Sequence, residues 1–126
     1  MTKSYPVVYG YVRVSDRQEG AAQELRDELA TWCAREGWHL GAVFTDVSAG
    51  IDVDDRIGFL GLLDALALPQ ARGAVVLDPA QLSPRPELIT RMMRKMRATG
   101  SAVVCRSGEL PPMALKHCQG QPELTS

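Results

Sequence analysis

The chain predicts an α/β domain: three layers, α/β/α, around a mainly parallel central sheet of about four to five strands. Two observations carry that expectation. Apolar, β-branched segments alternate with stretches whose apolar residues recur every three or four positions, in the order strand, helix, strand, helix, strand, helix, strand. In addition, Ala74-Val75-Val76-Leu77 is short, fully apolar and bounded by Gly73 and Asp78, as suits a central parallel strand covered on both faces. Elements in this order are joined by right-handed crossovers, and such sheets collect functional groups at the carboxyl ends of their strands.

Pro6 to Val14 reads as the first strand because it is β-branched and aromatic, too long and apolar for a solvated loop. From Ala22 the period changes. Ala22, Leu25, Leu29, Trp32 and Cys33 form one face of a helix, Arg26, Asp27, Glu28 and Arg35 the other, and Gly37 stops it. Trp38 to Phe44 reads as the second strand, ending at Thr45-Asp46. A polar stretch to Asp55 follows, with small turn residues at Ala49-Gly50 and aspartates at 52, 54 and 55. Ile57 to Leu68 is a leucine-rich second helix that Pro69 ends. Leu88, Ile89, Met92, Met93 and Met96 form the stripe of a third helix, closed by Gly100. Ala102 to Cys105 is the fourth strand. Residues 1–106 therefore read as one domain, and 107–126, with Pro111-Pro112, Gly120 and Pro122 and no sustained period, as a poorly ordered tail.

Composition excludes several classes. The 126 residues are 45% hydrophobic and 23% charged, an ordinary globular balance, and the formal charge is −1. Near-cancelled charge argues against nucleic-acid binding by bulk charge and leaves only a local basic face, Arg91, Arg94 and Lys95 on the third helix, whose default role is a solvated surface. No apolar run reaches membrane-spanning length, and three cysteines at unrelated spacings, Cys33, Cys105 and Cys118, fit reduced thiols in a cytoplasmic protein. No glycine-rich phosphate loop follows the first strand, and no ligand pairs at metal-binding spacing occur, so neither a cofactor nor a metal is expected.

The end of the first strand offers specific chemistry. In Tyr11-Val12-Arg13-Val14-Ser15, alternation places Tyr11, Arg13 and Ser15 on one face. A guanidinium beside a hydroxyl suits attack on a phosphodiester, with serine as nucleophile and arginine holding the phosphoryl oxygens. Ser15-Asp16-Arg17-Gln18 also matches a capping box, in which Ser15 would start the first helix, although Gly20 would then fall in its second turn. Arg56 reads either as a solvated residue at a helix start, paired with Asp54 or Asp55, or as a phosphate ligand. Asp78 at a strand end reads as a turn or helix-cap carboxylate before a catalytic one.

Tyr11 to Ser15, Gln18 and Gln23, the segment Phe44-Thr45-Asp46-Val47-Ser48-Ala49-Gly50, and Arg56 before the second helix together resemble the catalytic domain of the serine recombinases, the resolvases and DNA invertases, over about residues 5 to 105. The resemblance implies a resolvase-like fold, Ser15 as the nucleophile of a phosphoserine intermediate, Arg13 and Arg56 as phosphate ligands, and Tyr11 and Gln18 in support. It also implies chemistry without metal or cofactor. DNA is the implied partner, together with a second copy or a full-length recombinase as the partner subunit. Where that family has a Leu-Asp-Arg-Leu-Ser-Arg type segment supplying two further arginines, this chain reads Leu77-Asp78-Pro79-Ala80-Gln81-Leu82-Ser83-Pro84-Arg85. Arg85 stands one residue out of register, and reaches the site only if the loop bends back. The expectation is a relative of DNA strand-exchange enzymes that is weak or inactive alone. The rival is a non-catalytic interaction or regulatory module on the same fold.

Overall fold

A computed structural model describes residues 5–15, 20–47 and 55–111. Four strands form one sheet: β1 (Val7–Val14), β2 (His39–Val47), β3 (Ala71–Val76) and β4 (Ala102–Cys105). Its order is β2-β1-β3-β4, and each neighbouring pair is parallel. Three helices connect them: α1 (Ala22–Glu36), α2 (Ile57–Leu66) and α3 (Pro86–Arg97), with a 3-10 turn at Pro79–Gln81 between β3 and α3. The expected three-layer parallel fold is therefore present with four strands.

Alternation along β1 divides the core in two. Val8, Val12 and Val14 join Leu29 and Cys33 of α1, together with Val75 and Leu77. Tyr9 and Tyr11 point the other way, into a cluster with Phe59, Leu62 and Leu66 of α2 and Ile89, Met92, Met93 and Met96 of α3. The methionine stripe is thus core, and the opposite side of α3 carries the exposed Arg91 and Arg94 and the half-buried Lys95. Placing Arg94, Lys95 and Arg97 in the last turn of α3 suits the negative end of its helix dipole.

Several boundaries differ from the sequence expectation. β2 runs on to Val47 because Thr45, Asp46 and Val47 pair with Val12, Arg13 and Val14. β3 begins at Ala71, which pairs with Val7. α2 ends at Leu66, two residues early, in a turn where the Ala67 N–H is shared between the Leu63 and Asp64 carbonyls. α1 begins at Ala22 with Ala21 at its N-cap and no side-chain cap bond, so Ser15 is not the cap of this helix. Gly20 and Ala21 form a short 3-10 stretch that runs directly into α1. At the other end Gly37 adopts φ 78°, and its N–H bonds the Ala34 carbonyl, which is how glycine closes α1.

Candidate active site

The carboxyl ends of β1, β2 and β3 converge with the start of α2. Tyr11 is fully buried near the end of β1, and its hydroxyl donates to Asp46 Oδ2 at 2.6 Å. The same carboxylate accepts the backbone N–H of Gly58 at 2.7 Å through Oδ1 and that of Phe59 at 2.9 Å through Oδ2. Asp46 thus satisfies two orphan donors in the first turn of α2, a capping role performed from another strand. Burial above all, then the hydrogen bond to Asp46 and its negative charge, push the Tyr11 phenol well above the ordinary tyrosine value, while the Arg56 cation pulls the other way. Tyr11 is therefore a fixed neutral donor at physiological pH.

Arg56 occupies the N-cap position of α2, and is only 4% exposed. Its Nη1 donates to the Leu82 carbonyl and also lies 3.5 Å from Met92 Sδ. The reading of Arg56 as a solvated helix-start residue is overturned: the side chain points inward, under the segment that follows β3. Arg13, two residues past Tyr11, points to the same side. Its Nη2 donates to the Ala80 carbonyl at 3.0 Å, and its own backbone N–H donates to Gln81 Oε1 at 3.0 Å. Burial first, and then the neighbouring Arg56 cation, hold Arg13 below the usual guanidinium value. Its Nε is buried with no hydrogen-bond partner among the described residues, an arrangement that typically costs about 1–3 kcal/mol.

The two guanidinium groups therefore face one short segment, Pro79 to Leu82, that presents carbonyl oxygens. It is a 3-10 turn held by the Gln81 N–H to the Asp78 carbonyl at 3.1 Å and the Leu82 N–H to the Pro79 carbonyl at 2.9 Å. Asp78 sits at its N-cap position without making a side-chain cap bond, and its Oδ1 is buried with no partner among the described residues. Leu82 is fully buried and anchors the turn in the core.

Ser15 follows β1 directly, half-buried, on the face that Tyr11 and Arg13 share. Arg85 lies elsewhere: it precedes α3, is exposed, and its Nε pairs with Glu87 Oε1 at 2.8 Å. Gln23 lies on the outer side of α1, where its Nε2 donates to Asp27 Oδ1 at 2.9 Å and its Oε1 accepts from Arg26. Gln18, Asp52 and Asp54 lie outside the described residues, as do Ser48 to Gly50 and the tail from 112 onward. The expected site residues Tyr11, Arg13 and Arg56 come together; Arg85 and the basic face of α3 stand apart from them.

Sequence reasoning missed two participants. Asp46 was legible only as a strand end, because its partners lie 35, 12 and 13 residues away. Gln81 was legible only as a departure from a motif. Among the described residues no group of His, Cys, Asp or Glu is placed to hold a metal, and no helix is long and apolar enough to cross a membrane.

Comparison with known proteins agrees with this fold. The family model for the resolvase N-terminal domain matches residues 8–114. No curated protein matches the chain. Among solved structures, the C-terminal catalytic domain of ISC1926 TnpA, an IS607-like serine recombinase, superposes with a TM-score of 0.70 at 18% identity, covering 84% of this chain and 71% of that one. The N-terminal catalytic domain of TP901-1 integrase gives 0.66 at 18% identity, covering 79% and 76%. A serine recombinase from Sulfolobus solfataricus gives 0.60 at 24%, covering 84% and 71%. At these identities the structural likeness speaks for the fold.

Proposed function

This chain belongs to the resolvase N-terminal domain family, and from that premise we propose that it is a serine-recombinase-like protein of DNA strand exchange, weak in cleavage when alone. In this reading Ser15 is the nucleophile. Its hydroxyl gives up a proton, a bond forms between Oγ and phosphorus, and the bond from phosphorus to one deoxyribose oxygen breaks; that oxygen leaves as a hydroxyl by taking up a proton. Attack by a deoxyribose hydroxyl on the phosphoserine reverses the sequence and reseals the strand. Arg13 and Arg56 hold the charged phosphoryl oxygens, and planar guanidinium groups suit that task better than ammonium groups. Tyr11 supports the site through Asp46. Gln18 and Asp78 belong to the same supporting set, as does Arg85 once it leaves Glu87. The exposed Arg91 and Arg94, with Lys95, are the surface for DNA backbone or a partner, which is a second copy or a full-length recombinase. The setting is the cytoplasm.

One observation carries the weakness of the activity. The Arg13 and Arg56 guanidinium groups already donate to the carbonyls of Ala80 and Leu82. Losing even one preorganised donor from a developing charge costs about a hundred- to a thousand-fold in rate. The test is a nicked suicide DNA substrate at high protein concentration. A faint covalent adduct that disappears in Ser15→Ala and weakens in Arg13→Ala is expected; no adduct at any concentration overturns cleavage, and rapid turnover overturns the weakness. The same occupied arginines favour one second reading, a non-catalytic interaction module in which they only clasp the loop after β3. There Ser15→Ala leaves the cellular phenotype unchanged, and Arg94→Glu alters it.

A further inference from the structure

We propose that the segment Pro79–Leu82 is a reversible internal occupant of the phosphate pocket, so that the pocket alternates between a closed state, bound to the chain's own carbonyls, and an open state that binds an anion. The inference rests on the reading of Arg13 and Arg56 as phosphate ligands, and adds the regulation of that site.

Three observations carry it. The Ala80 and Leu82 carbonyls take one donor from each arginine, as two oxygens of a phosphoryl group would. The occupation is incomplete, since Arg13 Nε stays buried without an acceptor among the described residues. The contact is also held by a short set of restraints: three backbone bonds that close the turn, from the Gln81, Leu82 and Ser83 N–H groups, the Gln81 side chain on the Arg13 N–H, and the buried Leu82. A neutral carbonyl dipole competes poorly with an anion for a guanidinium, because the anion adds a full opposite charge and can accept two parallel bonds from the planar fork. The competing term is the cost of lifting the turn, so apparent phosphate affinity is the intrinsic affinity reduced by the open fraction.

The experiment uses the full chain and inorganic phosphate as probe. In the wild type, saturating phosphate is expected to speed amide hydrogen exchange at Gln81 and Leu82, whose N–H groups close the turn, relative to the same protein in chloride at equal ionic strength. Gln81→Ala, and more strongly Pro79→Gly with Gln81→Ala, is expected to tighten phosphate binding by about tenfold, as a tenfold rise in the open fraction requires. Phosphate binding that leaves exchange at Gln81 and Leu82 unchanged overturns the proposal, as does an unchanged affinity in a folded Gln81→Ala protein. A wild type that binds no phosphate while the folded double variant also binds none overturns it too. The two readings separate cleanly. A loosened variant that binds phosphate more tightly but forms no Ser15 adduct keeps the gate and defeats the cleavage. A variant that forms the adduct with unchanged phosphate affinity does the reverse.

Discussion

The Tyr11 hydroxyl and the Asp46 carboxylate, 2.6 Å apart, join the ends of β1 and β2, and Asp46 in turn holds the first turn of α2 through the Gly58 and Phe59 N–H groups. One carboxylate therefore fixes the strand that carries Arg13 and leads into Ser15 relative to the helix that carries Arg56 at its start. Positioning of the site and stability of the fold share this residue.

Replacing Asp46 by alanine removes an N-terminal helix cap and leaves the buried Tyr11 hydroxyl without its acceptor. The expected loss is about 2–4 kcal/mol of unfolding free energy, read from urea denaturation midpoints. Asp46→Asn keeps one acceptor oxygen, and loses less. A change below about 0.5 kcal/mol in Asp46→Ala would show that the carboxylate does not restrain α2.

The Tyr11 phenol gives the protein an alkaline limit. Its folded value is raised above the unfolded one by burial and by Asp46, so its stabilising contribution is complete below the unfolded value of about 10 and is lost as pH rises from there through the folded value. Unfolding free energy is expected to fall above about pH 10, with Tyr11 contributing a slope of up to about 1.4 kcal/mol per pH unit. Subtracting the profile of Tyr11→Phe isolates that contribution from that of Cys33, whose thiol is pushed up to about 11. Parallel alkaline limbs in the two proteins would refute it.

The architecture was legible because it rests on local periodicity. Val8, Val12 and Val14 against Tyr9 and Tyr11, or Leu29 and Cys33 at helical spacing, declare their faces without any knowledge of partners. The site was legible only in part, for the opposite reason. An arginine at a helix start looks solvated, and Arg56 is buried by Leu82 and Met92, residues 26 and 36 positions further along. Ser15-Asp16-Arg17-Gln18 looks like a capping box, yet α1 starts at Ala22, after a short 3-10 stretch at Gly20 and Ala21. The side chains of Pro79–Leu82 gave no sign that the backbone of that segment supplies acceptors to Arg13 and Arg56.

Cys33 should be chemically silent in the native state. The thiol is 1% exposed, and burial, with the Glu36 charge as a lesser cause, pushes it up to about 11. Since the thiolate is the nucleophile, alkylation at neutral pH has to wait for unfolding. Mass-spectrometric mapping after iodoacetamide treatment is expected to show little label at Cys33 in buffer and full label in urea. Cys105, half-buried and raised first by burial and then by Asp78, reacts slowly but without that dependence on global unfolding. Equal labelling of Cys33 with and without urea would contradict the packing of α1 on the sheet.

Gly58 and Gly61 both lie in α2, where alanine is ordinarily favoured over glycine by about 1 kcal/mol, yet their replacements are expected to behave differently. A Cβ at Gly58 would stand 2.6 Å from the Thr45 carbonyl oxygen and 2.9 Å from Asp46 Cγ, so backbone and the capping carboxylate both have to move. A Cβ at Gly61 would meet only the Phe44 ring, at 3.0 Å, a side chain that can turn aside. Overpacking against a rigid neighbour costs about 1–3 kcal/mol, and at Gly58 the displaced Asp46 adds a weakened cap. Gly58→Ala should therefore be destabilising by about 1–3 kcal/mol, while Gly61→Ala stays within about 1 kcal/mol of wild type, as thermal or urea unfolding would show. The consequence reaches the site, because Arg56 is two residues before Gly58, and a shifted α2 carries its guanidinium away from the Leu82 carbonyl. A stabilised Gly58→Ala protein would mean that α2 does not sit this close to the end of β2, and the link from Asp46 to Arg56 would fail with it.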